Sequence, residues 1–446
     1  MNRTKHRRTG RGAGRSACGA DERVVVVGNG IAAHRLTERL AALGHGGPVT
    51  VLGAEPHPAY QRTLLGSVLD GSLAPEAVTL PEPPRGTRVL PGVRITRIDR
   101  ARRLVHGRTS AGESVAEPYG TLVLATGARP VAPGRGFHSL DDSLRPVHGR
   151  VAVVGGGVLG VETATALRRR GHQVVLAHAG PYPMHRHLDA TAGALVVAAL
   201  EDWGVELRLD KRVEEDEILD VDTVVWCVGS VPETSLALGA GLRVRHGVVV
   251  DGRLRTSDPA VRAIGACTGA PGLVGALGQA ETLAADLTGG PAWYTAPSPI
   301  LRPRVPGLDV ACLGFPGFPV ERTVTLHDPA LGRYARLELV RDRIARAVLV
   351  GLPEGIAAVS QLYDREAPLP ADPLGLLLGT AGAAPDESVV CHCNGVDREA
   401  VERAWHDGAR SVGAVVEATR ATTGCGGCSD TLRAVCAALG PAREAR

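Results

Sequence analysis

One local pattern occurs twice in this chain of 446 residues, and the repeat constrains the fold more than any other feature. Arg23-Val24-Val25-Val26-Val27 runs into Gly28-Asn29-Gly30-Ile31-Ala32-Ala33, and Arg150-Val151-Ala152-Val153-Val154 runs into Gly155-Gly156-Gly157-Val158-Leu159-Gly160. A continuous β-branched run predicts a strand buried on both faces of a parallel sheet. A helix is expected after each turn, over 34–43 in the first case and as far as Arg170 in the second. Strand, then G-x-G-x-x-A or G-x-G-x-x-G, then helix is the context a dinucleotide-binding fingerprint requires. Gly28 and Gly155 make the tight turn, Gly30 and Gly157 let backbone approach a pyrophosphate, and Ala33 and Gly160 complete the motif. The positive end of each helix faces that charge.

Each fingerprint is followed by a strand that returns to its sheet. In the first half, Val49–Leu52 reads as the second strand, and Glu55 just beyond it is the candidate to hold an adenosine ribose. Leu122-Val123-Leu124-Ala125 then ends at Thr126 and Gly127, a turn able to lie against a bound cofactor. Thr223-Val224-Val225-Trp226-Cys227-Val228 repeats this arrangement, with Gly229 as the counterpart. The chain therefore holds two related βαβ halves. In the second half, the strand over 173–177 ends at His178 where an acid usually stands. The common reader of a free ribose 2′-hydroxyl is missing, nearby Arg186 tolerates a phosphate, and NADH and NADPH both stay open.

The C-terminal stretch carries four of the nine cysteines: Cys391-His392-Cys393, 31 intervening residues, then Cys425-Gly426-Gly427-Cys428. Side chains alternate along a strand, so an extended 389–393 aims Cys391 and Cys393 to one face. The two glycines of the second pair allow close approach of backbone N–H groups to a ligand. Ser429-Asp430 would cap a helix over 431–439. Four converging thiolates make a soft-metal site, zinc or iron–sulfur. Residues 386–441 are also too few for a self-sufficient core, and modules of that size lean on a metal. At these residues the chain resembles the bacterioferritin-associated ferredoxin-like (BFD-like) domain, a small helical module. The resemblance implies one [2Fe-2S] cluster held by Cys391, Cys393, Cys425 and Cys428.

Hydrophobic residues at 44% and charged at 22% describe an ordinary globular chain. No apolar run approaches the roughly 18 residues of a membrane span, so a cytoplasmic protein is expected. The formal charge of +3 is unevenly spread. Residues 1–20 hold six Lys or Arg and no acid, leaving −3 for the rest. The stretch 1–22 reads as a disordered basic tail without an export signal and without a nucleic-acid role.

The order of the two halves, with a late return through Ala263-Ile264-Gly265-Ala266-Cys267 and a helix at about 275–287, resembles the pyridine-nucleotide–disulfide oxidoreductase superfamily. That implies an α/β fold of two interleaved Rossmann-like domains. FAD would occupy 23–148 with 256–290, and NAD(P)H would occupy 149–255. An α+β interface domain over 291–379, shielding the flavin, and the BFD-like [2Fe-2S] domain over 386–441 would follow. The resemblance adds Arg62, Gly265 and Glu162 to the cofactor-binding set. It also exposes a departure, because an acid normally follows the late glycine and here Ala266 does. The lost bond would cost about 1 kcal/mol of FAD affinity.

Cys18, Cys227, Cys267 and Cys312 form no pair in the sequence and read as small buried hydrophobes, so dithiol chemistry is not expected. His34, His178 and His392 receive no catalytic role. Nicotinamide gives electrons as a hydride and a [2Fe-2S] centre takes them singly, so a flavin between them is a sensible converter. Pro58-Ala59-Tyr60-Gln61-Arg62, Leu188-Asp189-Ala190-Thr191-Ala192-Gly193 and the cluster module resemble the electron-input half of assimilatory nitrite reductases and the electron-transfer subunit of assimilatory nitrate reductase. No second cysteine set for a sirohaem domain is present. The expectation is a separate subunit serving a nitrate reductase catalytic partner, with nitrite reductase second. A ferredoxin or rubredoxin reductase and a flavoprotein oxidase are further alternatives, and oligomeric state is open.

Overall fold

A computed structural model of the chain describes residues 22–131, 134–212, 220–270, 272–297, 299–305, 307–315, 317, 319–380, 389–391, 396–419, 421–422 and 428–440. Residues 1–21 of the expected basic tail and the segment 381–388 lie outside them, whereas Glu22 is described and accepts from Thr121 Oγ1 at 3.2 Å.

The first sheet has five parallel strands in the order Val261–Ala263, Thr121–Leu124, Val24–Val27, Val49–Leu52, Thr87–Leu90. Its central valine run explains itself. Val24 and Val26 pack with Leu36 and Leu40 of the helix Ile31–Ala42 and with Leu283 of the helix Gly272–Leu287. Val25 and Val27 face the other way, into a core with Ile95, Ile98 and Val105 of an antiparallel meander, Val93–Asp99, Leu104–Thr109 and Ser114–Pro118. Both faces are covered, so neither set of side chains can be polar.

The second sheet repeats the plan with four parallel strands, ordered Val205–Arg208, Val174–Ala177, Val151–Val154, Thr223–Trp226. The two halves are stitched by a short antiparallel pair, Ala128–Pro130 with Ser230–Pro232, formed just past the two returning strands.

A third sheet is antiparallel, ordered Ile300–Leu301, Leu308–Leu313, Arg343–Val350, Arg333–Val340, Arg322–Asp328. Alternation gives it two apolar faces. Ala347 and Leu349 pack under the helix Pro353–Asp364 with Ile356 and Val359. Val348 and Val350 join Ala164, Leu167 and Val196 of the second half. Tyr334 OH donates to Asp189 Oδ2 at 2.6 Å, and Arg346 donates to the His187 carbonyl at 3.0 Å. This sheet thus seats on the second half and on the short helix Leu65–Leu69.

The C-terminal module has its own core, with Val390, Val401, Trp405, Val415 and Leu432 among its members. Strands Val389–Cys391 and Val396–Asp397 pair, and helices Arg398–His406, Val412–Thr419 and Ser429–Ala438 follow. Among the described residues no helix is long and apolar enough to cross a membrane.

Candidate functional site

The central strand of the first sheet ends at the first glycine turn, Gly28-Asn29-Gly30. Gly28 has φ +113°, and a Cβ there would overlap the Ala125 carbonyl oxygen. Its N–H donates to the Leu52 carbonyl at 2.8 Å. Gly30 is the N-cap of the helix Ile31–Ala42, makes no side-chain cap, and has no atom within 4 Å of a notional Cβ. Beside it, Asn29 Nδ2 is buried with no partner among the described residues. Open space, an uncapped helix start and an orphaned amide donor together fit a pyrophosphate. Ala33 is fully buried under the sheet.

Thr126 Oγ1 donates to the Glu233 carbonyl at 2.7 Å, and Glu233 N–H donates to the Gly127 carbonyl at 3.0 Å. Val131 N–H reaches the Gly229 carbonyl at 3.0 Å. The two returning turns are therefore clasped to each other, which holds the two nucleotide halves in register. Gly265, with φ +79°, is pinned by its N–H to Gln279 Oε1 at 2.7 Å. Gln279 gave no signal in the sequence, since a glutamine on an apolar helix face looks like any tolerated polar residue. Ala266 is exposed in the turn that follows.

Glu55 and Arg62 are brought together by direct contact of their charged groups. Tyr60 OH donates to the other Glu55 oxygen at 2.6 Å and accepts the Leu140 N–H at 3.1 Å. Arg62 also donates to the His138 carbonyl at 2.8 Å. Burial, ahead of the flanking charges, raises the Tyr60 phenol well above its ordinary range. The expected ribose carboxylate is thus already anchored by two donors.

The second turn is built the same way. Gly155 has φ +110° and a Cβ there would lie 2.5 Å from the Cys227 carbonyl oxygen. Gly157 is the N-cap of Val158–Arg169 with open space beyond it, and a Cβ on Gly160 would overlap the Gly155 carbonyl. Glu162 Oε1 accepts the Arg304 N–H at 3.0 Å, tying this helix to the third sheet. His178 occupies the strand end, where burial, His185 and Arg186 hold its ring below the ordinary histidine value against Asp210.

His138 and His187 are depressed as well, with burial the first cause in both. An unfolded chain protonates its histidines near pH 6.5, before these three accept a proton in the fold. Their contribution is whole above that pH and is lost as pH falls through it. Thermal melts are expected to move to lower temperature from pH 7.5 to 5.5; a histidine-to-asparagine change at 178 should shrink that slope, and an unchanged slope would contradict this account.

Cys227, Cys267 and Cys312 are all buried, and burial pushes the thiols of Cys227 and Cys312 up to about 12. Cys391 is 1% exposed on its short strand. Cys428 is half-buried and stands at the N-cap position of Ser429–Ala438. The helix thus begins two residues before the expected start at 431, so Ser429 and Asp430 lie in its first turn instead of capping it, and Cys428 takes the N-cap position at the positive end of the helix. Cys393 and Cys425 lie outside the described residues. Cys436 is buried in the module core, as a packing residue would be. Arg35, on the helix after the first turn, lies within electrostatic reach of Cys391 as well as of Glu281.

Residues 22–281 match the family model of pyridine nucleotide-disulphide oxidoreductases. The chain belongs to this family. Residues 389–438 match the BFD-like [2Fe-2S] binding domain. The chain is 29% identical to a nitrite reductase [NAD(P)H] of Bacillus subtilis over 93% of its own length and 57% of that protein. It is 28% identical to the assimilatory nitrate reductase electron transfer subunit of the same organism, over 91% of this chain and 58% of the relative. It thus spans little more than half of either, and length does not separate them. Among solved structures, a covalent putidaredoxin reductase–putidaredoxin complex has the same fold, with TM-score 0.70, 23% identity, and coverage of 82% of this chain and all of that one.

Membership makes the chain an FAD-dependent NAD(P)H oxidoreductase that also carries a [2Fe-2S] binding domain. When bound, FAD supplies the exchange between hydride and single-electron chemistry. The residues around both glycine turns fit nucleotide pyrophosphates, with open space beyond Gly30 and Gly157.

Proposed function

We propose that this chain oxidises NAD(P)H and delivers the electrons to a separate catalytic subunit of an assimilatory nitrate reductase. The observation that carries the reading is the joint presence of both nucleotide halves and the cluster module within one alignment to a nitrate reductase electron transfer subunit. Gly28, Gly30, Ala33, Glu55, Arg62, Thr126, Gly127 and Gly265 would hold FAD, and Gly155, Gly157, Gly160, Glu162 and Gly229 would hold NAD(P)H. Cys391, Cys393, Cys425 and Cys428 would hold the cluster. The protein's part is positional. It would offer backbone donors to the phosphates of both nucleotides, and the clasp between the two turns would keep the two binding sites in a fixed relation. No side-chain acid or base is required.

A second reading, electron input to a nitrite reductase, draws on the 29% identity over 93% of the chain. Mixing the purified protein with NAD(P)H and either a molybdenum nitrate reductase subunit or a sirohaem nitrite reductase domain separates the two. Nitrate-dependent oxidation with the first partner alone is expected. Oxidation dependent only on nitrite and the second partner would transfer the proposal to the other reductase.

A further inference from the structure

The middle glycine of the second turn, Gly156, donates its N–H to Nδ1 of His178 at 3.0 Å. That bond fixes the ring: Nδ1 accepts, so the proton of the neutral imidazole sits on Nε2. Nε2 lies 2.9 Å from Nδ1 of His185, which must accept in turn and keep its own proton on Nε2. The chain closes around this pair. Met184 N–H donates to the Gly156 carbonyl at 2.7 Å, and the rings of His178 and His185 fill the space against Gly156 and Gly180.

The consequence is chemical. A carboxylate at this strand end accepts a hydrogen bond from a ribose 2′-hydroxyl. His178 cannot, because its lone pair is already taken by Gly156 and its N–H is given to His185. What the segment offers instead are donors: the remaining N–H of His185 and the guanidinium of Arg186, which is exposed and within electrostatic reach of His178. Asp210 is the acid acting on that ring. A phosphate is an acceptor only, and charge-assisted bonds to it are the strong ones.

We propose that His178, locked by Gly156 and His185, and the adjacent Arg186 make the second nucleotide site select NADPH over NADH. This rests on the reading that the turn at Gly155–Gly160 holds the nicotinamide nucleotide. The test uses the FAD-loaded protein and two ligands unable to transfer hydride, 2′-phospho-ADP-ribose and ADP-ribose, titrated by calorimetry. The phosphate-bearing ligand is expected to bind about tenfold tighter, the scale of one charge-assisted contact. Arg186→Ala, a change at an exposed position, should remove most of that preference and leave ADP-ribose affinity alone. His178→Glu should reverse the preference, with flavin content reporting that the fold survives. Equal or tighter binding of ADP-ribose by the unaltered protein would overturn the selectivity while leaving the site itself standing. Binding of neither ligand would sink the reading of the second turn and this proposal with it.

Discussion

Replacing Cys391 with serine is expected to leave NAD(P)H able to bleach the bound flavin while partner-dependent turnover falls to background. Cys391 is 1% exposed and lies in the core of the C-terminal module, and that core shares no residue with the cores of the nucleotide halves. A serine hydroxyl there is a poor soft-metal ligand. A core this small has little stability to lose without its metal. The module should therefore lose iron and unfold locally, and the flavin site should not notice. Stopped-flow reduction of the flavin and steady-state turnover with the catalytic partner read the two halves of the prediction separately. Intact partner turnover would show that electrons bypass the module.

Gly28→Ala and Gly160→Ala should each remove one nucleotide and spare the other. At Gly28 a methyl group would meet the Ala125 carbonyl on a backbone already at φ +113°. At Gly160 it would meet the Gly155 carbonyl, forcing the helix Val158–Arg169 off its strand. Neither obstacle is a flexible side-chain tip, so the backbone must move, at about 1–3 kcal/mol for overpacking and more where φ is positive. The first variant is expected to purify without yellow colour. The second should purify yellow but resist bleaching by NAD(P)H. Gly30→Ala and Gly157→Ala meet nothing within 4 Å, so both should fold and melt normally while binding their nucleotides less well. Normal cofactor content in Gly28→Ala would mean that the first turn is not where FAD binds.

The paired fold was legible because its signals are local. A valine run followed by a glycine turn states both burial and turn geometry within ten residues, and the strands Val24–Val27, Val49–Leu52 and Val151–Val154 appear where that pattern predicts. Helices start at their glycine N-caps, so Ile31–Ala42 begins three residues before the expected start at 34. What escaped the sequence is contact at long range. The bond from Gln279 to Gly265, the clasp between Thr126 and Glu233, and the seating of the third sheet on Asp189 through Tyr334 each join residues that are ordinary in their own segments. The His178–His185 relay is a middle case. The missing acid was visible, yet only the fold shows that the ring's lone pair is already committed to Gly156.

Everything proposed about electron delivery depends on the nature of the group held by Cys391, Cys393, Cys425 and Cys428. Iron and acid-labile sulfide should be quantified, alongside zinc, on anaerobically purified protein. About two irons and two sulfides per chain, as four thiolates on one [2Fe-2S] cluster require, is the predicted result. One zinc and no sulfide would contradict it.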